Sequence, residues 1–418
     1  MLKNKAPHWS KLDNVAKIFP PTTSQSDPKV FRFACELKEM VISNLLQKAA
    51  EETLKLFPYF SSTLKRGIFW YYLEQSNLVP IVKEEDLPIC SRLYDRNKKT
   101  LLFRITYYKK RINMEVYHAL SDGMGALQFF KVLVGKYLSF AHKELENVLV
   151  DYDTTLMEMV ADSFDRYYEK PQITKKKLVR AWKMKGATFS FERLKVIEGV
   201  LSVSELKKIV KRYHTTITTF LLTVYLQSMI AVSSPKDRKR PFTIHIPVNL
   251  RTHFASTSTK NFFGIIIVAY SYRKEDTFED ILSLVDKTLK EELTTDRLSI
   301  RMNQMSSLEK NLLIRSAPLF LKDLGLKFGA YLTDLETSTS FSNLGIITMP
   351  KEMIPYIRLF DAFNSTNKMI ICCCSFEDQF VISFTSRFVN SNIQKHFFRV
   401  LTEYSLKIEI RSNEVSNL

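Results

Sequence analysis

At 418 residues the chain is too long for a single compact core, and size alone favours two lobes of roughly 150 to 250 residues each. A composition of 45% hydrophobic and 25% charged residues excludes a disordered or fibrous chain. The formal net charge of +17 draws polyanions, whether nucleic acid, an anionic membrane surface or a small ligand with several phosphates, and does not choose among them.

Residues 1–21 mix Lys, His, Asp and Trp with no continuous apolar run, so neither a signal peptide nor an N-terminal anchor is expected, and the expected location is cytoplasmic. Residues 30–37 read as an extended run. Residues 40–57 read as a helix, with Val41, Leu45, Ala49 and Leu56 at helical spacing until Pro58 stops it. Residues 60–73, rich in Phe, Trp and Tyr, read as strands around a Lys65-Arg66-Gly67 turn. A hairpin follows: Leu101, Phe103, Ile105 and Tyr107 alternate, Lys109-Lys110-Arg111 turns, and Ile112, Met114, Val116 and His118 alternate on the return strand. This register puts His118 on the apolar side. The strand stops at Ser121-Asp122-Gly123, and residues 124–140 continue as a helix with Leu127, Phe130, Val134 and Leu138 on one stripe.

From 143 to 185 the periodicity fades into charged and aromatic residues around Pro171 and a lysine triplet. The crossover is placed there, between an N-terminal lobe, 1–175, and a C-terminal lobe, 176–418. Ser202-Val203-Ser204-Glu205 has capping-box spacing, in which the serine hydroxyl and the glutamate side chain each satisfy a free backbone amide. A second helix starts near Thr216. Its apolar window, 217–232, is interrupted by Thr218, Thr219, Thr223, Gln227 and Ser228 and is short for a bilayer span, so it reads as a buried helix. Residues 242–248 alternate as a strand, 252–260 form a polar loop, and 262–272 are a near-continuous apolar strand whose pattern implies burial on both faces. Residues 277–293 read as an amphipathic helix, 369–374 and 379–388 as a hairpin around Glu377-Asp378, and 392–406 as a closing helix. The order strand, helix, strands, helix in both halves predicts an α/β protein of two related mixed-sheet lobes.

The basic clusters Lys109-Lys110-Arg111, Lys175-Lys176-Lys177 and Lys236-Asp237-Arg238-Lys239-Arg240 fall at inferred turns and linkers and are not interleaved with aromatics. They read as solvated loops, which argues against nucleic acid as a partner. Cys35, Cys90, Cys372, Cys373 and Cys374 include no C-x-x-C pair. Neighbouring strand residues point to opposite faces, so the triplet cannot aim three thiolates at one ion, and no metal site is expected.

The chemistry concentrates in Tyr117-His118-Ala119-Leu120-Ser121-Asp122-Gly123. A histidine on the apolar side of a strand end has its charged form disfavoured by desolvation and stays neutral near neutral pH. That is the form a general base requires. Sequence physics leaves a hydrogen-bonded core histidine open as the alternative. For Asp122 it leaves open a cap on the following helix.

This stretch resembles the H-x-x-x-D-G motif of the CoA-dependent acyltransferase superfamily, which includes chloramphenicol acetyltransferase, plant BAHD acyltransferases, condensation domains of peptide synthetases and alcohol O-acetyltransferases. Leu56-Phe57-Pro58-Tyr59-Phe60, Ile246-Pro247-Val248-Asn249-Leu250-Arg251 and Asn261-Phe262-Phe263-Gly264 are similar to other segments of that superfamily, in the same order. The resemblance implies two chloramphenicol-acetyltransferase-like lobes with a tunnel between them. His118 would be the general base, with no permanently bound cofactor and acyl-CoA as co-substrate. It implies that Asp122, followed by Gly123, turns away from substrate to pair with an arginine, for which Arg251 is the matching position. It further offers Ser340 and Asn343, in Ser340-Phe341-Ser342-Asn343-Leu344-Gly345, as contacts for an oxyanion or substrate, with a plain polar turn before a strand at Ile346 as the alternative.

The plant Asp-Phe-Gly-Trp-Gly motif is absent, and Tyr117 stands where most condensation domains carry a second histidine. A free-standing enzyme moving an acyl group, expected to be acetyl, from acyl-CoA to a small alcohol or lipid-like acceptor fits best. A carrier-protein thioester as donor stays open, as do peripheral membrane contact and a catalytically inactive binding protein of the same fold. The last reading gains if side chains fill the tunnel or if Asp122 bonds only to local amides.

Overall fold

A computed structural model describes residues 9–152, 162–169, 178–190 and 193–413. Two large sheets carry the architecture. The first has five strands in the order Ile357–Asn364, Val30–Leu37, Arg111–Tyr117, Phe103–Tyr108 and Lys83–Glu84. The second has seven, in the order Phe263–Tyr270, Phe242–Asn249, Thr339–Ile346, Met369–Phe376, Gln379–Ser386, Lys195–Ser202 and Glu409–Ser412. Each mixes parallel and antiparallel pairs. A small third sheet joins Trp9–Lys11, Tyr71–Gln75 and Ser62–Arg66.

Each large sheet has its own core. Helices Ser43–Leu56 and Gly123–Ala141 pack together and bury Leu46, Ala49, Phe129 and Phe130 in a cluster with Phe33, Met114 and Val116. Helices Ile217–Val232 and Asn392–Glu403 do the same for the second sheet, where Tyr225, Phe384 and Phe397 meet edge to face. The lobes are not independent in sequence. Strand Ile357–Asn364, from the second half of the chain, pairs antiparallel with Val30–Leu37 and so completes the first sheet. The division expected between 175 and 176 falls in 170–177, which together with the lysine triplet lies outside the described residues.

Most of the expected elements form. The strand at Val30–Leu37, the helix Gly123–Ala141 and the buried helix Ile217–Val232, capped by Thr216, match the sequence reading closely. Among the described residues no single helix is long and apolar enough to cross a membrane. Three differences have physical causes. Among the described residues Phe263–Tyr270 is an edge strand, paired on one side only, with Ile265 and Ala269 exposed rather than buried on both faces. Helix Phe278–Glu292 packs against it, and an apolar run alone does not distinguish a doubly covered strand from an edge strand covered on one face. The first aromatic hairpin turns at Gly67–Trp70, two residues later than expected, where the Gly67 amide donates to the Trp70 carbonyl at 2.9 Å. At Ser202 half of the capping box forms, the hydroxyl accepting from the Glu205 amide at 3.2 Å. Asp378 takes the Ser202 hydroxyl and the Ser204 amide in place of a reciprocal glutamate bond.

Cysteines 372 and 374 pack into the first core and Cys373 into the second, as alternation along a strand between two layers requires.

Candidate active site

The return strand of the hairpin ends at Tyr117, and the next four residues are pinned from several sides before the helix begins. The His118 amide donates to Lys29 O at 2.9 Å, Tyr59 Oη donates to Leu120 O at 2.9 Å, and Ser121 Oγ donates to Thr259 O at 2.5 Å. The His118 ring is boxed by aromatics. Phe19 stacks on it at 4.7 Å between centroids and 18° between planes, Phe31 lies at 4.8 Å and Phe263 at 6.0 Å. This enclosure desolvates the imidazole and lowers its pKa to about 4, against smaller opposing effects of Asp122 and Asn261. The ring is therefore neutral at neutral pH.

Asn261 sets which ring nitrogen holds the proton. Its Nδ2 donates to Asp13 Oδ2 at 3.0 Å and to His118 O at 3.1 Å, both acceptors, so its Oδ1 must be the atom facing His118 Nδ1 at 3.4 Å. An acceptor at that position calls for Nδ1–H and leaves the lone pair on Nε2. Asp13 itself is held by the Ala16 amide at 2.7 Å and the Asn261 amide at 3.1 Å. Burial raises its pKa to about 6, with the Asn261 and Ala16 hydrogen bonds opposing, so it is largely ionised at neutral pH.

Asp122 holds both of the roles considered for it. Oδ1 caps the helix by accepting from the Gly125 amide at 2.9 Å, while Oδ2 accepts from Arg251 Nη1 at 2.7 Å and the Phe262 amide at 2.8 Å. Arg251 spends its other donors on the carbonyls of Ser258 and Lys260, at 2.6 to 3.1 Å. Residues 258–262 of the second lobe are thereby locked to the end of the His118 loop. Gly125 permits the close approach, because a Cβ there would lie 2.2 Å from Thr259 O and 2.5 Å from Ser121 Oγ. At Gly123 a Cβ would meet side chains alone, the flexible end of Leu344 at 3.3 Å and Phe33 at 3.9 Å.

A cavity of about 150 Å3 opens between the lobes, with His118, Phe31 and Asp122 on one wall and Val248, Phe263 and Ser342 on the other. Asn343 also lines it, but its Nδ2 donates to Thr218 Oγ1 at 3.0 Å and its Oδ1 accepts from the Gly345 amide at 2.9 Å. Ser340 is not in the cavity wall. It sits in strand Thr339–Ile346, paired with Ile370, and the segment is a strand with a bulge after Asn343 rather than a turn. Ser342, on the same strand face and about 7 Å further along, lines the cavity instead. Asp13, Asn261, Gly125 and Ser342 were not singled out from sequence. The period of two from Ser340 points to Ser342, whereas nothing in linear order ties Asp13 to Asn261.

No family model matches the chain, and no curated protein matches it in sequence. Solved structures do match over nearly its full length. TRI101 of Fusarium graminearum, in complex with coenzyme A and T-2 mycotoxin, is 11% identical with a TM-score of 0.64 and covers 96% of this chain and 100% of its own. Trichothecene 15-O-acetyltransferase from Fusarium sporotrichioides is 10% identical with a TM-score of 0.61, covering 96% of each chain. The first condensation domain of the CDA synthetase is 11% identical with a TM-score of 0.61, covering 96% of this chain and 97% of its own. The chain thus has the two-lobed fold that acetyltransferases and condensation domains share, which is the architecture its motif implied.

Proposed function

We propose that the protein is an acyltransferase that moves an acyl group from acyl-CoA to an alcohol hydroxyl, with His118 as general base. The observation that carries this reading is a neutral imidazole, its Nδ1 facing an acceptor, in the wall of a cavity between lobes of this fold. The acceptor oxygen attacks the thioester carbonyl as Nε2 takes its proton. The carbon–sulfur bond then breaks, and the imidazolium returns the proton to the leaving thiolate, giving ester and free CoA. No acyl-enzyme is needed. Ser342, which lines the cavity, is the candidate donor to the oxygen that gains charge. The Asp122–Arg251 pair holds the loop that presents His118 and takes no proton. Two grounds for an inactive binding protein are removed, because a cavity is present and Asp122 bonds across the lobes.

The test is release of free thiol from acetyl-CoA in the presence of a panel of alcohols. Turnover is expected for the wild type, and His118→Ala is expected to lower it about 100- to 10,000-fold with the fold intact by circular dichroism. Equal turnover by the variant would sink the mechanism. Likeness to a condensation domain and a net charge of +17 favour a second donor, an acidic acyl carrier protein. Turnover with the loaded carrier and not with acyl-CoA selects it.

A further inference from the structure

The sequence reading assigned no element between 295 and 335, where the structure has three helices, Thr295–Lys310, Leu312–Ser316 and Leu319–Leu335. The third is amphipathic with its stripe reversed. Leu319 and Asp323 face inward, while Phe320, Leu324, Phe328 and Tyr331 recur at helical spacing on the outer side, and Leu324 and Phe328 are 66% and 62% exposed. Scattered exposed apolar residues need no explanation, whereas a contiguous face does.

This face is built. The Leu319 amide donates to Ile68 O at 2.9 Å, and Lys322 Nζ donates to Phe69 O at 3.1 Å and lies 3.5 Å from the Trp70 ring centroid. Tyr71 Oη donates to Asp323 Oδ2 at 2.9 Å. These contacts fix the helix against the turn of the aromatic hairpin, where Ile68, 77% exposed, and Phe69 extend the apolar patch. Lys327 in the helix, Arg66 beside the turn and Arg315 in the preceding short helix are exposed cations. The acidic groups near them are engaged, Glu74 with Lys65, Asp323 with Tyr71 and Asp334 with Lys368.

We propose that this face of helix Leu319–Leu335, with the Ile68–Phe69 turn, docks on an anionic lipid surface. Apolar side chains with exposed cations close in sequence match an interface of acyl chains beneath negative headgroups. A second copy of the chain would bring the same cations against them, which disfavours self-association through this face. The inner side of the helix packs on Phe19–Thr22, whose Phe19 stacks on His118. The proposal does not rest on acyl transfer and is tested without it.

The experiment is flotation of the full chain with vesicles of phosphatidylcholine alone and of phosphatidylcholine with phosphatidylserine. The wild type is expected to float with the phosphatidylserine vesicles and to be released by high salt. The triple variant Phe320→Ser, Leu324→Ser, Phe328→Ser should bind at least about tenfold more weakly, with an unchanged circular dichroism spectrum because its targets are exposed. A second variant, Arg66→Glu, Arg315→Glu, Lys327→Glu, should lose the preference for phosphatidylserine. Absence of flotation, equal flotation on both lipids, or equal binding by the triple variant overturns the proposal. So does light scattering that shows a wild-type dimer and a monomeric triple variant, since the face would then be a protein interface.

Discussion

Asp122 and Arg251 join the two sheets beside the cavity, and Arg111, Glu198 and Asp361 join them at a second place, but the two junctions differ in how fully their polar atoms are satisfied. At the first, both carboxylate oxygens are hydrogen-bonded and all three guanidinium nitrogens have acceptors. At the second, Arg111 reaches Glu198 at 2.9 Å and Asp361 at 3.3 Å, while Arg111 Nε is buried with no acceptor among the described residues. Burial, with Glu198 adding to it, pushes the Asp361 carboxyl well above the usual carboxylate range. Buried charge contributes to stability only when its geometry compensates for lost hydration. The first junction meets that condition and fixes a loop; the second does not and can be replaced.

Removing one partner at each junction should expose this difference. Arg251→Ala strands a buried carboxylate and is expected to cost about 3 to 5 kcal/mol in denaturant unfolding, with loss of thiol release as the His118 loop is freed. A cost below about 1 kcal/mol would place the two junctions on the same footing. Gly125→Ala is expected to cost about 1 to 3 kcal/mol because its Cβ meets backbone, whereas Gly123→Ala should cost less than about 1 kcal/mol because the Leu344 side chain yields. The reverse order of melting temperatures would contradict the close approach at Thr259.

The smallest effect belongs to Asp361. A carboxyl whose folded pKa is raised holds a proton that the unfolded chain releases near its ordinary value of 3.8, so its contribution to stability is present below that value and is lost as pH rises. Asp361→Asn is therefore expected to gain on the wild type as pH rises above about 4, with a flatter stability profile. A steady loss across the same range would show that the ionised Asp361–Arg111 pair stabilises the fold.

The legibility of the molecule follows the same divide. Strand and helix periodicity revealed the elements that carry the His118 loop, because each buries one face against a single core. The pairing of Asp122 with Arg251 came from likeness to a family and not from spacing, since 129 residues separate them. Helix Leu319–Leu335 escaped because Gly325 and Gly329, poor helix formers, and leucines on several sides blur its period, and Phe263–Tyr270 was read as doubly buried because composition does not record which side of a strand is paired. Asp13 and Asn261 meet only in the folded chain, 248 residues apart, and Ser340 was chosen over Ser342 because linear order does not say where along a strand a cavity opens.

Nitrogen-15 NMR of the histidine-labelled protein, with His118 assigned by the signal lost in His118→Gln, tests the poised base most directly and needs no substrate. At neutral pH His118 should show a protonated Nδ1 and a bare Nε2, titrating near 4 rather than 6.5. Asn261→Ala should relax that tautomer preference. An Nε2–H tautomer in the wild type, or a midpoint near 6.5, would contradict it.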